Sequence, residues 1–157
     1  MSLPDSGSDV GGVLAELFRR SWADLVRLAT FLTGSVPAAE DLVQDVFLRF
    51  GVRPAPLPDD PARYLRTSVV NACRSYHRRR LLEHRHRPGL PHPGIDDPGE
   101  LWDVLDRLTI RQRTAVVLRY YLDLPEDEIA AVLRCRPSTV RSLVRRGLAR
   151  LREELSP

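Results

Sequence analysis

A chain of 157 residues with net charge +3, 43% of it hydrophobic and 29% charged, has the make-up of one globular domain or two small ones, not of a disordered segment. No apolar run approaches the roughly 20 residues that span a bilayer, and the polar start "MSLPDSGSDVGG" lacks the basic-then-apolar order of a secretory leader, so a cytoplasmic protein without membrane insertion is expected. Cys73 and Cys135 stand far apart without metal-ligand spacing and read as reduced thiols, while all 24 basic residues are arginine, whose planar fork suits phosphates and guanine edges.

Helical periodicity dominates, and no convincing strand appears. Leu14, Leu17, Phe18, Leu25, Leu28 and Leu32 recur at spacings of three, four and seven, which predicts a first helix over about 13–32, ended by Thr33-Gly34. Ser35 and Pro37 then start a second helix over about 38–50. Wound as a helix, "AEDLVQDVFLRF" (39–50) puts Leu42, Val43, Val46, Phe47 and Phe50 on one side. Glu40, Asp41, Gln44 and Asp45 fall on the other, with Leu48 in their midst. An acidic face around an exposed leucine, on a basic chain, needs an explanation.

"GVRPAPLPDD" (51–60) holds three prolines and reads as a loop. Asp60-Pro61 supplies an N-cap and a first-turn proline for a third helix over about 61–82, with Leu65, Val69, Ala72 and Tyr76 as its buried stripe. Beside that stripe Tyr64, Thr67, Asn71, Arg74 and Arg78 share a face. An aromatic ring, an amide and guanidiniums can stack on, hydrogen-bond to and neutralise a single nucleic-acid strand. From Arg63 to Arg87 there are eight arginines against one acid, Glu83. A merely solvated charged face would balance its arginines with Glu.

"RPGLPHPGIDDPG" (87–99), with four prolines and three glycines, is expected to be an interdomain linker. Four further helices follow, at about 100–108, 110–122, 126–133 and 137–155. In the last two, Ile129, Ala130 and Leu133 of a short helix face Val140, Val144, Leu148 and Leu151 of a long one across a tight turn. Ser138, Thr139, Arg141, Ser142, Arg145 and Arg146 then lie at the outer, N-terminal part of the long helix, where a major-groove reader places its contacts. An antiparallel hairpin with a charged outer face is the alternative, but from Arg134 to Arg152 there is no acid. The fold expected is therefore all-α: two small helical domains joined by a Pro/Gly-rich linker, the second containing a helix-turn-helix. His77, His84, His86 and His92 lack Cys or carboxylate partners at ligand spacing, so no metal, cofactor or enzymatic activity is expected.

In their order and spacing, "LVRLATFLTGSVPAAEDLVQDVFLRF", "YLRTSVVNACRSYHRRR" and "LTIRQRTAVVLRYYLDLPEDEIAAVLRCRPSTVRSLVRRGLARLRE" resemble the extracytoplasmic-function sigma factors of bacterial RNA polymerase. The resemblance implies a region 2 over 13–86, a linker over 87–99 and a region 4 over 100–155. It implies that Glu40, Asp41, Gln44, Asp45 and Leu48 dock on the clamp helices of the polymerase's largest subunit. It implies further that the 51–60 loop and the Asn71 face hold the melted −10 strand, that the helix from Pro137 reads the −35 duplex, and that the first helices of region 4 meet the polymerase flap. Core polymerase and promoter DNA are the implied partners, with an anti-sigma factor as a further one. A stand-alone helix-turn-helix regulator is the alternative function. The family usually has glycine where Arg134 stands and often where Ser138 stands; a non-glycine residue at a left-handed position costs roughly 1 kcal/mol, so a turn that departs from the family's geometry is expected here.

Overall fold

The structure, a computed structural model, describes residues 6–53, 56–86 and 100–156. The expected linker at 87–99, two residues of the 51–60 loop and the side chains of His84, His86 and His92 lie outside the described residues. Within them are seven helices and no strand: α1 (Ser6–Thr33), α2 (Val36–Val52), α3 (Pro61–His86), α4 (Glu100–Asp106), α5 (Ile110–Tyr120), α6 (Glu126–Leu133) and α7 (Pro137–Leu155).

The expected boundaries hold to within a residue or two at most ends, because local chemistry sets them. Ser35 caps α2 by accepting the Ala38 N–H, with proline in the first turn. Asp60 accepts the Arg63 N–H ahead of α3. Thr109 and Gln112 form a reciprocal capping box at the start of α5. Gly34 ends α1 with φ +75°, in the left-handed region that glycine enters without steric cost. Three ends run further than expected. α1 starts at Ser6, α2 continues through Gly51 and Val52, and α3 reaches His86. Once a helix is nucleated, each added residue costs little, so polar or weakly helical ends extend without a pattern to announce them.

α1, α2 and α3 pack together in the first half, and α5, α6 and α7 in the second. In α3 the buried residues are Leu65, Val69, Val70 and Cys73, while the expected Ala72 and Tyr76 are only partly covered. The buried arc turns because α3 is packed on three sides, by α1, α2 and the second half. In α7 the buried positions are Val140, Leu143 and Gly147, with Val144 and Leu151 packed at the margin. Leu143 was not expected there. Gly147, one turn further on, lies on the same side: a Cβ at that position would come 2.8 Å from the Val116 side chain, so α5 packs close against α7 there. Burying each such Leu or Val stabilises the fold by about 1.5–3 kcal/mol.

The halves are also packed on each other. Trp102 of α4, 3% exposed, lies against Gly34 at the end of α1. Phe31 and Tyr121 meet edge to face with centroids 4.9 Å apart, and Arg66 of α3 approaches Glu128 of α6 at 3.6 Å. Buried apolar residues of both halves form one continuous cluster.

Candidate nucleic-acid interface

The outer face of α2 is as the helical wheel draws it. Ala39, Val43, Val46, Phe47 and Phe50 are buried, and Glu40, Asp41, Gln44 and Asp45 are exposed. Leu48 is 63% exposed. It is not ringed by charge alone, however. Phe18, expected in the inward stripe of α1, is 43% exposed and stacks on Trp22 at 4.8 Å, and Val52 is 82% exposed. With Leu14, these side chains line an open apolar groove of about 700 Å³ between α1 and α2. The face is therefore an acidic edge beside an apolar strip, the composition of a protein-docking surface.

A second groove, of about 540 Å³, runs between α2 and α3. Tyr64 and Asn71 line it, as do Ser68, Ser75 and Arg79, which share the α2-facing side of α3. Arg49 closes the opposite wall, tied to Asp45 by an ion pair of 2.9 Å. Tyr64 is 42% exposed, and the Arg53 guanidinium sits over its ring at 4.6 Å. The groove thus offers aromatic, amide, hydroxyl and guanidinium groups together, the set that holds an unstacked base and its phosphate.

The expected stripe on α3 does not act as one surface. Tyr64 and Asn71 open into this groove, whereas Thr67 and Arg74, both half-buried, lie towards the edge that carries Arg66 and its Glu128 contact. Burial pushes the pKa of Arg74 below its ordinary value, and the like charges of Arg111, Arg78 and Arg134 push it the same way. The sequence reading missed Ser68, Ser75 and Arg79 because two hydroxyls and one more arginine, each one position from the expected stripe, looked like ordinary surface.

The helix-turn-helix closes as its chain order suggests, with one departure. Arg134 sits at φ 52°, ψ 51°, the left-handed position where glycine is usual. The Cys135 N–H bonds to the Ala130 carbonyl at 3.0 Å and the Arg134 N–H to that of Ala131 at 3.3 Å, the paired bonds of a Schellman ending. The turn geometry is kept and arginine bears its strain. α7 then begins at Pro137. Ser138, Arg141, Arg145 and Arg146 are exposed, and Thr139 and Ser142 are half-buried at the same end. Arg141 is partly drawn back, with Nε 3.4 Å from the Glu126 carboxylate, while Arg145 and Arg146 have no ion pair among the described residues.

His77 serves packing between the halves. Its Nε2–H donates to the Leu32 carbonyl, and burial holds its pKa below the ordinary 6.5. Burial raises the Cys73 thiol to about 12, which leaves it inert. Among the described residues no group of three His, Cys, Asp or Glu could hold a metal ion, and no helix is long and apolar enough to cross a membrane.

Comparison with known proteins matches residues 17–81 to sigma-70 region 2 and residues 99–151 to sigma-70 region 4. The chain is 36% identical over 143 residues to the RNA polymerase sigma-E factor of Streptomyces avermitilis, covering 83% of this chain and 78% of that one. It is 36% identical over 140 residues to the protein of the same name from Streptomyces coelicolor, covering 83% and 79%. Among solved structures it resembles the sigma factor RpoE of Bartonella quintana, determined in complex with the anti-sigma factor NepR. The TM-score there is 0.74 at 23% identity, over 91% of this chain and 98% of that one. It also resembles the extracytoplasmic-function sigma factor SigJ of Mycobacterium tuberculosis, with a TM-score of 0.65 at 30% identity, over 88% of this chain and 53% of that one.

Proposed function

The chain belongs to the sigma-70 family of RNA polymerase subunits, in its extracytoplasmic-function group, and from that premise we propose how its surfaces divide the work of promoter-specific transcription initiation. Sigma factors as a group act by binding rather than by catalysis. Residues 13–86 form the polymerase-docking and −10-reading unit, and residues 100–155 read the −35 element. Glu40, Asp41, Gln44, Asp45 and Leu48 dock on core polymerase, with Leu48 and its apolar neighbours as the dry centre and the acids as the rim. Tyr64 and Asn71 receive an unstacked base of the melted −10 strand in the α2–α3 groove. Thr67, Arg74 and Arg78 meet the strand's phosphates from the adjoining edge. Ser138, Thr139, Arg141, Ser142, Arg145 and Arg146 meet the −35 duplex in the major groove. A protein inhibitor of the kind bound to Bartonella RpoE is part of the same proposal.

The observation that carries this division is the α2–α3 groove, which holds Asn71, Tyr64 and two arginines, while the acidic and apolar face that α2 shares with α1 lies beside it. A repressor that reads duplex DNA alone has no use for either. Asn71→Ala tests the groove. With core polymerase, the variant should form closed complexes as the parent does and open strands poorly. A template premelted over the −10 element should restore most of the loss, since extruding a base costs a few kcal/mol that the premelted strand no longer requires. Equal impairment on duplex and premelted templates would remove Asn71 from strand reading.

A further inference from the structure

Arg113 of α5 does something that neither DNA reading nor polymerase docking calls for. Its side chain is only 5% exposed, although the chain is otherwise studded with solvated arginines. All three of its nitrogens donate inward. Nη1 donates to the Leu32 carbonyl at 3.1 Å, Nε to the Leu105 carbonyl at 3.0 Å, and Nη2 to the Asp106 carboxylate at 3.1 Å. The plane lies over the Trp102 ring at 4.5 Å. Leu32 is in the last turn of α1, where carbonyls have no partner within their own helix and the dipole's negative end lies. A guanidinium from the second half thus closes a helix of the first, 81 positions away in sequence. His77 of α3 donates to the same oxygen.

We propose that Arg113 is a latch that holds the two DNA-reading halves in a closed arrangement, in which the free chain cannot engage both promoter elements. The proposal rests on the reading of the halves given above. Its geometric basis is one of size. A compact chain of this length is roughly 40 Å across. Elements centred near −10 and −35 are about 25 base pairs apart, or roughly 85 Å of duplex at 3.4 Å per pair. The closed body spans half of that, so the seam must part before both elements are read. The closed seam also turns Arg66 towards Glu128 and crowds Arg74 against Arg111 and Arg134, so one edge of the −10 helix faces protein instead of nucleic acid.

The seam is built to open as a unit. Trp102 fills the space over Gly34, where any side chain would overlap its ring, and Trp102 in turn floors Arg113. Phe31 against Tyr121 is the only aromatic pair across the seam among the described residues, and both rings are partly exposed. When the halves separate, water takes over the donors of Arg113 and the Leu32 carbonyl. The contacts are therefore exchangeable in a way that a purely apolar seam would not be.

The experiment compares the full chain with Arg113→Met, which keeps the stem and removes the fork. Small-angle scattering should show a larger radius of gyration at unchanged helicity. With core polymerase on a promoter carrying both elements, the half-maximal chain concentration should fall, by about tenfold if the open form is a tenth of the parent population. A second arm serves in case Arg113→Met unfolds. Phe31→Cys and Tyr121→Cys, in a Cys135→Ser background, are joined by a short bismaleimide, with Cys73 too buried to react. The joined chain should keep its helicity, lose promoter complexes and still bind a −35 duplex alone. An unchanged radius in Arg113→Met, or full promoter activity in the joined chain, overturns the latch. If Arg113→Met expands but no form of the chain engages promoter DNA, the latch stands and the promoter reading fails.

Discussion

Among the described residues two helices end on a residue in the left-handed region, and they do so with opposite chemistry. α1 ends on Gly34 at φ +75°, and α6 ends on Arg134 at φ +52°. Glycine at the first position is required twice over, by the backbone angle and by the Trp102 ring that occupies the place of a side chain. Arginine at the second is exposed, so only the backbone objects, and the Schellman bonds hold the turn regardless. The first turn belongs to the seam between the halves and is filled. The second is exposed at the entry to α7 and carries charge. The same division runs through the whole molecule. The first half presents grooves on either side of α2, whereas the second presents on α7 arginines that stand in solvent.

The sharpest way to break that comparison is at the filled turn. Gly34→Ala combines left-handed strain with overlap of the Trp102 ring, and should destabilise the chain by about 3 kcal/mol. In a double-mutant cycle with Trp102→Ala, the steric part should vanish and the roughly 1 kcal/mol of backbone strain remain. Additive losses in thermal or denaturant melts would mean that Trp102 does not rest on Gly34, and the seam as described would be wrong.

Next in size is the docking face. Leu48→Asp puts a charge into the apolar strip shared with Phe18 and Val52. Affinity for core polymerase should drop by roughly 2 kcal/mol or more. Folding should change by no more than about 0.5 kcal/mol, as for an exposed site. Parallel melting and competition titrations separate the two. A variant that binds core like its parent would reduce this face to solvated surface.

How far the sequence led differs between the regions for physical reasons. The starts of α2 and α3 were legible because Ser35 and Asp60 cap through neighbours three residues away, which a reader of the chain can see. The exposed acids of α2 and the free Arg145 and Arg146 of α7 were legible because an amphipathic helix fixes its outer face once its inner face is found. Phe18 was misread because a groove-lining ring has the same spacing as a core one. Leu143 was missed because the close packing of α5 on the Gly147 side of α7 is a contact between helices, which the spacing within α7 alone does not show. Arg113 was not singled out, since its partners include the main-chain carbonyls of Leu32 and Leu105, and those leave no mark in a sequence. The seam is built from such partners, so it was invisible where the helices were plain.

The recognition helix sharpens the contrast with the grooved half. Arg145→Ala should weaken promoter binding by roughly 1–3 kcal/mol if the fork is bidentate to a guanine, with the loss concentrated at one or two −35 positions. Asn71, by contrast, should show no preference among −35 sequences. A loss for Arg145→Ala that is uniform across sequences, with a shallower salt dependence, would make it a phosphate contact and leave base reading to Ser138, Ser142 or Arg146.

The smallest expected effect has the opposite sign, and returns to the unfilled turn. Arg134→Gly removes the Cβ penalty at φ +52°, worth about 1 kcal/mol, against a gain in unfolded-chain entropy of about 0.5–1 kcal/mol. It also removes one of the cations that crowd Arg74 across the seam. The net result should be a chain that melts at the parent's temperature or slightly above, since the relief of charge tips a near-balance. Raising the salt should shrink the difference, because screening relieves the same repulsion in the parent. If Arg134→Gly melts clearly lower at every salt concentration, arginine is making a stabilising contact at this turn. The two left-handed endings would then be alike in being filled, and the contrast drawn between them would fail.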